Sequence, residues 1–255
     1  MMKSVLSYLS GKSRLAASIV PLFPEHLCYC EPFCGALWVL FSKEPSKCEV
    51  VNDFDKELIT FWRVIQNHLE AFLQYYKYAV TSRELFDVEL KRDPELLTDI
   101  QRAVRYFYLQ RHAFGGKVEG RSFGTATTAG GPLNLTDIEE RLLEIHWRLK
   151  RVWIERLDAC DCIKKYDREH TLFYVDPPYY ETAGYAVPFG NTDFDRLNET
   201  LRAIKGKFIL SLNDHPEVRR IFTGFKIKKV TLKYSTGRDP ASRGKTRDEV
   251  LIQNF

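Results

Sequence analysis

The sequence lacks any run of about 18 consecutive apolar residues, the length that a membrane-spanning helix needs. Its first residues also lack the pattern of a secretory signal, in which a basic segment precedes an apolar one. We therefore expect a soluble protein that is not exported and does not bind a membrane. With 255 residues, of which 44% are hydrophobic, the chain is long enough for one substantial core and one inserted subdomain.

Patterns for metal ions are also poorly represented. Cys28 and Cys30 alternate along an apparent strand, and no histidine lies at the spacing of a zinc ligand. We therefore expect no metal, with zinc as the weaker alternative, and interpret the cysteines as buried free thiols in a reducing compartment. They are Cys28, Cys30, Cys34, Cys48, Cys160 and Cys162.

Charge of one sign is scarce overall, because the net charge is only +4, but basic side chains are concentrated in residues 101–125. This segment has five basic residues, one acidic residue and five interleaved aromatic residues. Such a composition is typical of nucleic-acid binding. A helix whose aromatic side chains face the core is the alternative, and we favour it for residues 106–109. The glycines that follow predict a hairpin or loop that presents Phe114, Lys117 and Arg121 outward.

The most informative segment is an apolar strand that ends in two prolines. Residues 171–175 are β-branched, aromatic or aliphatic and continue directly into Asp176-Pro177-Pro178-Tyr179. The pattern predicts a buried parallel strand, and ligands bind at the carboxyl ends of such strands. Because proline has a fixed φ and no N–H, the Asp176 carboxylate and the Pro177 carbonyl become adjacent acceptors. They suit a planar group with an exocyclic NH₂ that stacks on an aromatic ring. A loop with an aspartate turn cap, ended by the prolines, is the alternative.

A second pair of strands predicts a nucleoside-binding half. Residues 26–31 indicate a strand that opens into a glycine turn at residues 32–36, and residues 37–41 predict a helix, as in the first unit of a Rossmann-like sheet. Residues 48–53 indicate a second strand that ends in Asp53, a position from which a carboxylate can bind both hydroxyls of a ribose. Phe54 follows and is placed to cover an adenine ring.

Two phosphate-binding patterns are missing from this half. There is no G-x-G-x-x-G, because Leu37 stands where a further glycine is needed, and there is no G-x-x-x-x-G-K-[ST] loop. A ligand with adenine and ribose but no pyrophosphate therefore fits better than NAD or ATP. S-adenosylmethionine is such a ligand.

Together these motifs resemble those of Dam-like, alpha-class DNA adenine-N6 methyltransferases, especially the kind found in phages and prophages. Members open with an aromatic residue followed by Gly-Lys, here Tyr8, Gly11 and Lys12. Their cofactor loop E-P-F-x-G matches residues 31–35, and their ribose-binding acid matches Asp53. A helical insert with an aromatic-rich end at residues 105–111, the D-P-P-Y motif, a strand at 208–214 and a tail at 243–252 complete the match. The order of these motifs marks the alpha class.

The resemblance implies transfer of a methyl group from S-adenosylmethionine to N6 of an adenine that is flipped out of double-stranded DNA. It implies that Asp176 and the Pro177 carbonyl orient the amino group, that Tyr179 stacks on the base, and that Phe114 fills the gap in the helix. The implied catalytic residues are Asp176, Pro177, Pro178 and Tyr179. The implied cofactor-binding residues are Tyr8, Gly11, Lys12, Glu31, Pro32, Phe33, Gly35, Asp53, Phe54 and Asp176. The candidate DNA-binding residues are Arg105, Arg111, Phe114, Lys117, Arg121, Arg243 and Lys245.

The chain departs from relatives that recognise GATC at the positions that read bases. Those relatives have Lys before the aromatic residue of the first motif, where this chain has Ser7 and Tyr8. They have Asn, Leu and Arg after the hairpin aromatic residue, where this chain has Gly115, Lys117 and Glu119. The cations that remain contact phosphates and do not specify sequence, so we expect relaxed sequence preference.

We expect an α/β fold with a seven-stranded, mostly parallel, Rossmann-like sheet. The catalytic domain is predicted at residues 1–59 and 166–255, with a helical target-recognition insert at residues 60–165. Residues 226–234 and 249–255 are predicted to form a closing antiparallel pair. The alternatives are a methyltransferase that acts on RNA adenine or on cytosine N4, and a catalytically silent DNA-binding protein on the same fold. We expect a monomer or weak dimer in the cytoplasm of a bacterial or phage-infected cell.

Overall fold

A computed structural model describes residues 2–6, 12–125, 127–128, 130–182, 187–233 and 246–255. Its centre is a seven-stranded sheet in the order β3-β2-β1-β4-β5-β7-β6. Five neighbouring strands are parallel, and β7 runs antiparallel to both β5 and β6. The predicted fold class is therefore confirmed. The strands are β1 Cys28–Glu31, β2 Cys48–Asn52, β3 Val152–Glu155, β4 Thr171–Val175, β5 Lys207–Asn213, β6 Lys226–Lys233 and β7 Thr246–Gln253.

Helices cover both faces of the sheet, because side chains of the central strands alternate between two buried clusters. Leu172 and Tyr174 of β4 belong to one cluster, and Phe173 and Val175 belong to the other. All five residues of β4 are buried, as the apolar run predicted. The α-helices are α1 Lys12–Ile19, α2 Lys56–Asn67, α3 Leu69–Tyr76, α4 Arg83–Lys91, α5 Asp99–His112, α6 Leu135–Leu149, α7 Ala159–Tyr166, α8 Asn191–Ala203 and α9 Pro216–Ile221. No helix in these described ranges has both the length and the apolar character needed to cross a membrane.

Aromatic side chains hold the helical part of the chain together. Phe61 of α2 stacks on Phe107 of α5 with ring centroids 5.4 Å apart, and Phe72 of α3 packs against both. Residues 106–109 are buried, so the prediction that this part of the basic segment faces the core is confirmed.

The expected insert boundaries do not coincide with the sheet. Residues 60–165 include β3, which pairs with β2, and α2 runs across residue 60. The strand was missed because β3 lies at the edge of the sheet, where Trp153 is exposed and no apolar run marks the strand. The helices between β2 and β3, which are α2 to α6, therefore lie within residues 56–149.

The helix predicted at residues 37–41 is absent. Leu37 has a φ of 59°, in the left-handed region that ends an α-helix, and only a 3₁₀ turn forms at Leu40–Ser42. These apolar residues are buried without helical periodicity. The prediction was wrong because it rested on hydrophobicity alone. The closing antiparallel pair is confirmed, although β7 begins at Thr246, earlier than predicted.

Five of the six cysteines are buried free thiols and Cys48 is half-buried, in agreement with the interpretation from sequence. Cys30 and Cys162 approach each other with their sulfur atoms 3.8 Å apart. Within the described ranges, no group of three or more His, Cys, Asp or Glu side chains is arranged to hold a metal ion.

Candidate active site

The predicted site residues follow three neighbouring parallel strands. β1 lies between β2 and β4, with Glu31 opposite Val51 and Cys30 opposite Phe173. The carboxyl ends of parallel strands lie at one edge of a sheet, so the loops after β1, β2 and β4 meet there. The sheet order therefore brings the Glu31 loop between Asp53 and Asp176.

The loop after β1 is fixed by the end of β2. The Cys34 N–H donates to the Asn52 carbonyl at 2.8 Å, and the Gly35 N–H donates to Asp53 Oδ2 at 3.0 Å. The Asn52 side chain also donates to the Pro32 carbonyl at 2.9 Å. These hydrogen bonds hold backbone groups that have no partner within a strand, so the cofactor loop is held in one conformation.

Gly35 gives this loop an open side. Its φ is 45°, and no atom lies within 4 Å of the position that a Cβ would occupy. The Trp62 indole N–H donates to the Gly35 carbonyl at 3.0 Å, so helix α2 holds the other face of the peptide. The loop therefore offers free space beside a fixed backbone, as a ligand requires.

Asp53 lies at the same opening. Its Oδ1 accepts the Asp55 N–H at 3.1 Å, while its Oδ2 accepts Gly35. Burial raises the pKa of Asp53 to about 6. An ionised carboxylate has about four acceptor sites, and backbone N–H groups of Gly35, Asp55 and Phe54 bond to Asp53, so it retains capacity for a further hydroxyl donor. Phe54, the next residue, is 54% exposed and presents an aromatic ring at this edge.

Glu31 is fully buried beneath the loop. The Tyr29 hydroxyl donates to its Oε1 at 2.6 Å. The pKa of Glu31 is raised to about 8, chiefly by burial; the Tyr29 hydrogen bond and the charge of Lys43 oppose the rise, and the charge of Asp176 adds to it. Glu31 is therefore mostly protonated at neutral pH in the ligand-free chain.

The D-P-P-Y motif leaves the sheet at the end of β4, as predicted. Ser211 of β5 donates from its Oγ to Asp176 Oδ1 at 3.0 Å, and the Ser211 and Tyr174 hydroxyls lie 3.0 Å apart. Asp176 is half-buried, and Pro177 is buried. Tyr179 is buried too, and its hydroxyl donates to Glu249.

Five predicted cofactor-binding residues remain. Pro32 is buried, and Phe33 packs edge-on against Phe189 at 5.5 Å. Tyr8 and Gly11 lie outside the described residues, and Lys12 is described only as the first backbone position of α1.

The predicted hairpin at residues 113–124 is present. The Phe114 N–H donates to the Ser122 carbonyl and the Gly124 N–H donates to the His112 carbonyl, both at 2.8 Å. Phe114 is 46% exposed and Lys117 is exposed, as expected.

Three arginines expected to contact DNA are used inside the protein. Arg105 donates to the Glu89 and Leu90 carbonyls at the end of α4, and Arg111 donates to the Pro132 carbonyl at 2.6 Å. Burial lowers the pKa of Arg111. Arg121 is half-buried; it donates to Gln110 and lies 5.6 Å from the Tyr106 ring centre. This geometry argues against direct DNA contacts by Arg105 and Arg111 and against the outward position expected for Arg121. Arg243 and Lys245 lie outside the described residues.

Sequence reasoning gave no role to several polar residues that hold the site. They are Asn52, Trp62, Ser211, Asn213 and Glu249. The available signal was a polar side chain within an apolar strand, as in residues 208–213 and 249–252, since such groups are buried only with partners.

Comparisons with known proteins identify similar chains and a family. The chain is 26% identical over 270 residues to the type II methyltransferase M1.LlaDCHI of Lactococcus lactis subsp. cremoris, covering 97% of this chain and 94% of that protein. It is 23% identical to the retron Ec67 DNA adenine methylase of Escherichia coli, covering 98% and 90% of the two chains. It is 21% identical to the DNA N-6-adenine-methyltransferase of Escherichia phage P1, covering 98% of this chain but 35% of that protein. The model of the D12 class N6 adenine-specific DNA methyltransferases matches residues 8–236, and the chain belongs to this family.

Proposed function

We propose that Asp176 and the Pro177 carbonyl bind the amino group of an adenine that has been flipped out of duplex DNA. Membership of the family assigns the reaction, which is methyl transfer from S-adenosylmethionine to N6 of adenine in DNA. The observation that carries the residue assignment is the sheet order, in which β1 separates Asp53 from Asp176 by a single strand.

Adenine's amino group is a weak nucleophile, because its lone pair is delocalised into the ring. Two acceptors in the plane of the base draw on both N–H bonds and orient the nitrogen toward the methyl donor. Ser211 fixes the orientation of the Asp176 carboxylate by its hydrogen bond. Pro177 and Pro178 have no N–H, so neither proline can donate a backbone hydrogen bond to the two acceptors. S-adenosylmethionine would supply the methyl group, with its sulfur keeping the electron pair of the broken C–S bond, and the proton that the amino nitrogen loses would pass to the Asp176 carboxylate.

The loop after β1 and the end of β2 fit the methyl donor. S-adenosylmethionine, when bound, supplies an electrophilic methyl group on a sulfonium centre. The open space beside Gly35 admits a ligand, and Asp53 has acceptor capacity for a ribose hydroxyl. The exposed Phe54 ring provides a face for an adenine. Glu31, Pro32 and Phe33 complete the proposed binding loop, with Tyr8, Gly11 and Lys12 as its partners in the first motif.

Stacking of the target base on Tyr179 is part of the proposal. The Tyr179 ring is only 6% exposed, so a base reaches its face only when neighbouring chain moves. Family enzymes take the base out of the helix, which costs a few kcal/mol, and stacking worth about 1 to 3 kcal/mol per base offsets that cost.

We further propose relaxed sequence preference on duplex DNA. In support, the exposed side chains of the hairpin include Phe114, which can occupy the gap left by the base, and Lys117, which can contact a phosphate. Because DNA is the substrate, we also propose that the protein acts in the cytoplasm of a bacterial or phage-infected cell. The proposed oligomeric state is a monomer or weak dimer.

The assignment of Asp176 is tested by Asp176→Ala, with Asp248→Asn as a matched control because its carboxylate pairs with Lys229 on the far strand. Incorporation of labelled methyl groups into plasmid DNA is measured, and the modified nucleoside is identified by mass spectrometry. We expect the Ala variant to lose activity while it keeps its fold and much of its DNA binding, and the control to remain active. Activity retained by Asp176→Ala contradicts the proposal.

Sequence preference is tested separately by long-read methylation mapping of DNA exposed to the wild-type enzyme. Methylation of many adenines in varied contexts is expected. A single palindromic site with nearly complete occupancy contradicts relaxed preference, and methylated cytosine or a preference for RNA supports the alternative acceptors.

A further inference from the structure

Glu249 is a buried carboxylate that contacts the catalytic motif from a distant part of the chain. It lies on β7, its side chain is 1% exposed, and it accepts the hydroxyl hydrogen of Tyr179. The two residues are 70 positions apart in sequence. The contact therefore depends on the antiparallel end of the sheet and not on the local conformation of the motif.

The strand beside β7 holds the residue that follows Tyr179. Asn213 of β5 lies directly opposite Glu249 in the β5–β7 pairing. Its side-chain oxygen accepts the Tyr180 N–H at 2.9 Å, and its side-chain NH₂ donates to the Tyr180 carbonyl at 3.2 Å. Asn213 thus binds both backbone polar groups of Tyr180, the residue directly after the motif.

Ser211, two residues before Asn213, holds the start of the motif through Asp176. Side chains two positions apart in a strand point to the same face. The ends of β5 and β7 therefore present three polar side chains, Ser211, Asn213 and Glu249, which bind Asp176, Tyr180 and Tyr179 respectively.

The motif needs such external contacts, because two consecutive prolines cannot donate to a neighbouring strand. Burial of a carboxylate to supply these contacts is energetically unfavourable. Apolar packing of similar volume is often at least as stabilising as a buried charge, so stability alone does not explain the glutamate. A hydrogen bond to the phenol hydroxyl instead fixes the position of the hydroxyl end of the ring, which apolar packing leaves freer to shift.

We propose that Glu249 is a positioning residue for methyl transfer, which holds the hydroxyl end of the Tyr179 ring in the position that receives the target adenine, with Asn213 fixing the adjoining backbone. This inference rests on the proposed function of the D-P-P-Y motif. In this proposal Glu249 acts through Tyr179 and does not touch the substrate. Misplacement of a bound substrate by about 1 Å can cost about 100-fold in rate, so a looser ring should slow the chemical step more than binding.

The test compares Glu249→Ala, Glu249→Gln and Tyr179→Phe in the full-length enzyme. We expect Glu249→Ala to lower the single-turnover methylation rate per folded molecule about 10- to 100-fold, with KM for S-adenosylmethionine and DNA changed less than about threefold. Glu249→Gln keeps an acceptor and should stay within about fivefold of the wild type. Asp248→Asn, which changes the neighbouring carboxylate of the same strand, should match the wild type.

A double variant separates positioning from a general effect on folding. If Glu249 acts through the Tyr179 hydroxyl, Tyr179→Phe with Glu249→Ala should be no slower than the slower single variant. Additive losses, or a loss explained entirely by a smaller folded fraction in urea unfolding, overturn the inference. If Glu249→Ala does not fold, Tyr179→Phe decides alone, and a wild-type rate in that variant refutes the inference.

Failure of this inference is distinguishable from failure of the proposed function. An inactive Asp176→Ala beside a fully active Glu249→Ala removes the positioning role and leaves the function in place. An active Asp176→Ala removes the function itself.

Discussion

Replacement of Glu31 by Gln tests whether a buried acid at the cofactor loop is protonated at neutral pH. Gln has the shape of the protonated Glu side chain, and its oxygen can still accept the Tyr29 hydroxyl hydrogen. The variant cannot ionise, so any difference from the wild type that changes with pH reports on the Glu31 carboxyl. We expect the variant to be more stable than the wild type at pH 6 and to exceed it by a larger margin at pH 9.

The magnitude follows from the pKa of Glu31, which burial raises from 4.5 to about 8. The stability contributed by this carboxyl is fully present below the unfolded pKa of 4.5 and is lost as the pH rises through 8. At about 1.4 kcal/mol per pH unit, the total loss is about 5 kcal/mol. Part of it has occurred by pH 6, so the free energy of unfolding of the variant relative to the wild type should rise by about 2 to 3 kcal/mol between pH 6 and pH 9.

Urea unfolding followed by circular dichroism at pH 6, 7, 8 and 9 measures this difference. Glu155→Gln is the matched control, because Glu155 also ends a parallel strand. Burial there is outweighed by hydrogen bonds from Lys165 and Tyr166, so the pKa of Glu155 is lowered. The Glu155 carboxyl is ionised in both the folded and the unfolded protein above pH 6, so the effect of Glu155→Gln on stability should not vary with pH. A Glu31→Gln difference constant within about 0.5 kcal/mol over this range refutes the reasoning from burial.

Two further predictions concern ligand and DNA. Asp53→Asn should weaken binding of S-adenosylmethionine about 10- to 100-fold by calorimetry, because hydrogen bonds to a charged acceptor are worth about 1.5 to 3 kcal/mol each. Wild-type affinity should itself fall as the pH drops below the Asp53 pKa of about 6, and an unchanged affinity at pH 5 contradicts the ribose-binding role. Phe114→Ala should lower the fluorescence gain of 2-aminopurine placed at the target position, since an exposed aromatic ring is lost from the hairpin. Equal fluorescence in both proteins excludes Phe114 as the wedge.

The parts of the site that were predictable from sequence depend on local patterns. The strand before Asp176, the strand before Asp53 and the glycine turn at Gly35 each combine an apolar run with its terminating residues, and the structure contains all three. The D-P-P-Y motif is informative for the same reason, because two prolines end a strand wherever they occur.

The parts that could not be predicted depend on contacts between distant segments. Glu249 reaches Tyr179 only because β7 inserts between β5 and β6, and a single sequence gives no register for that pairing. Arg105 and Arg111 carry the charge expected of a DNA contact, but carbonyl groups at the ends of other elements bind their guanidinium groups. Residues 37–41 were apolar enough for a helix, yet the left-handed backbone of Leu37 turns them into the core.

The edge of the sheet accumulates acids whose burial is unfavourable in the ligand-free chain. Burial raises the pKa values of Glu31, Asp53 and Asp55, although Asp55 also caps helix α2. A cationic ligand that also donates hydroxyl hydrogens favours the ionised forms, so binding should lower these pKa values and release protons. Because the ligand binds only the folded chain, the same interactions stabilise the fold. The neutral replacement Glu31→Gln should therefore stabilise the protein above pH 8 in the absence of S-adenosylmethionine, while reducing the stabilisation that S-adenosylmethionine provides.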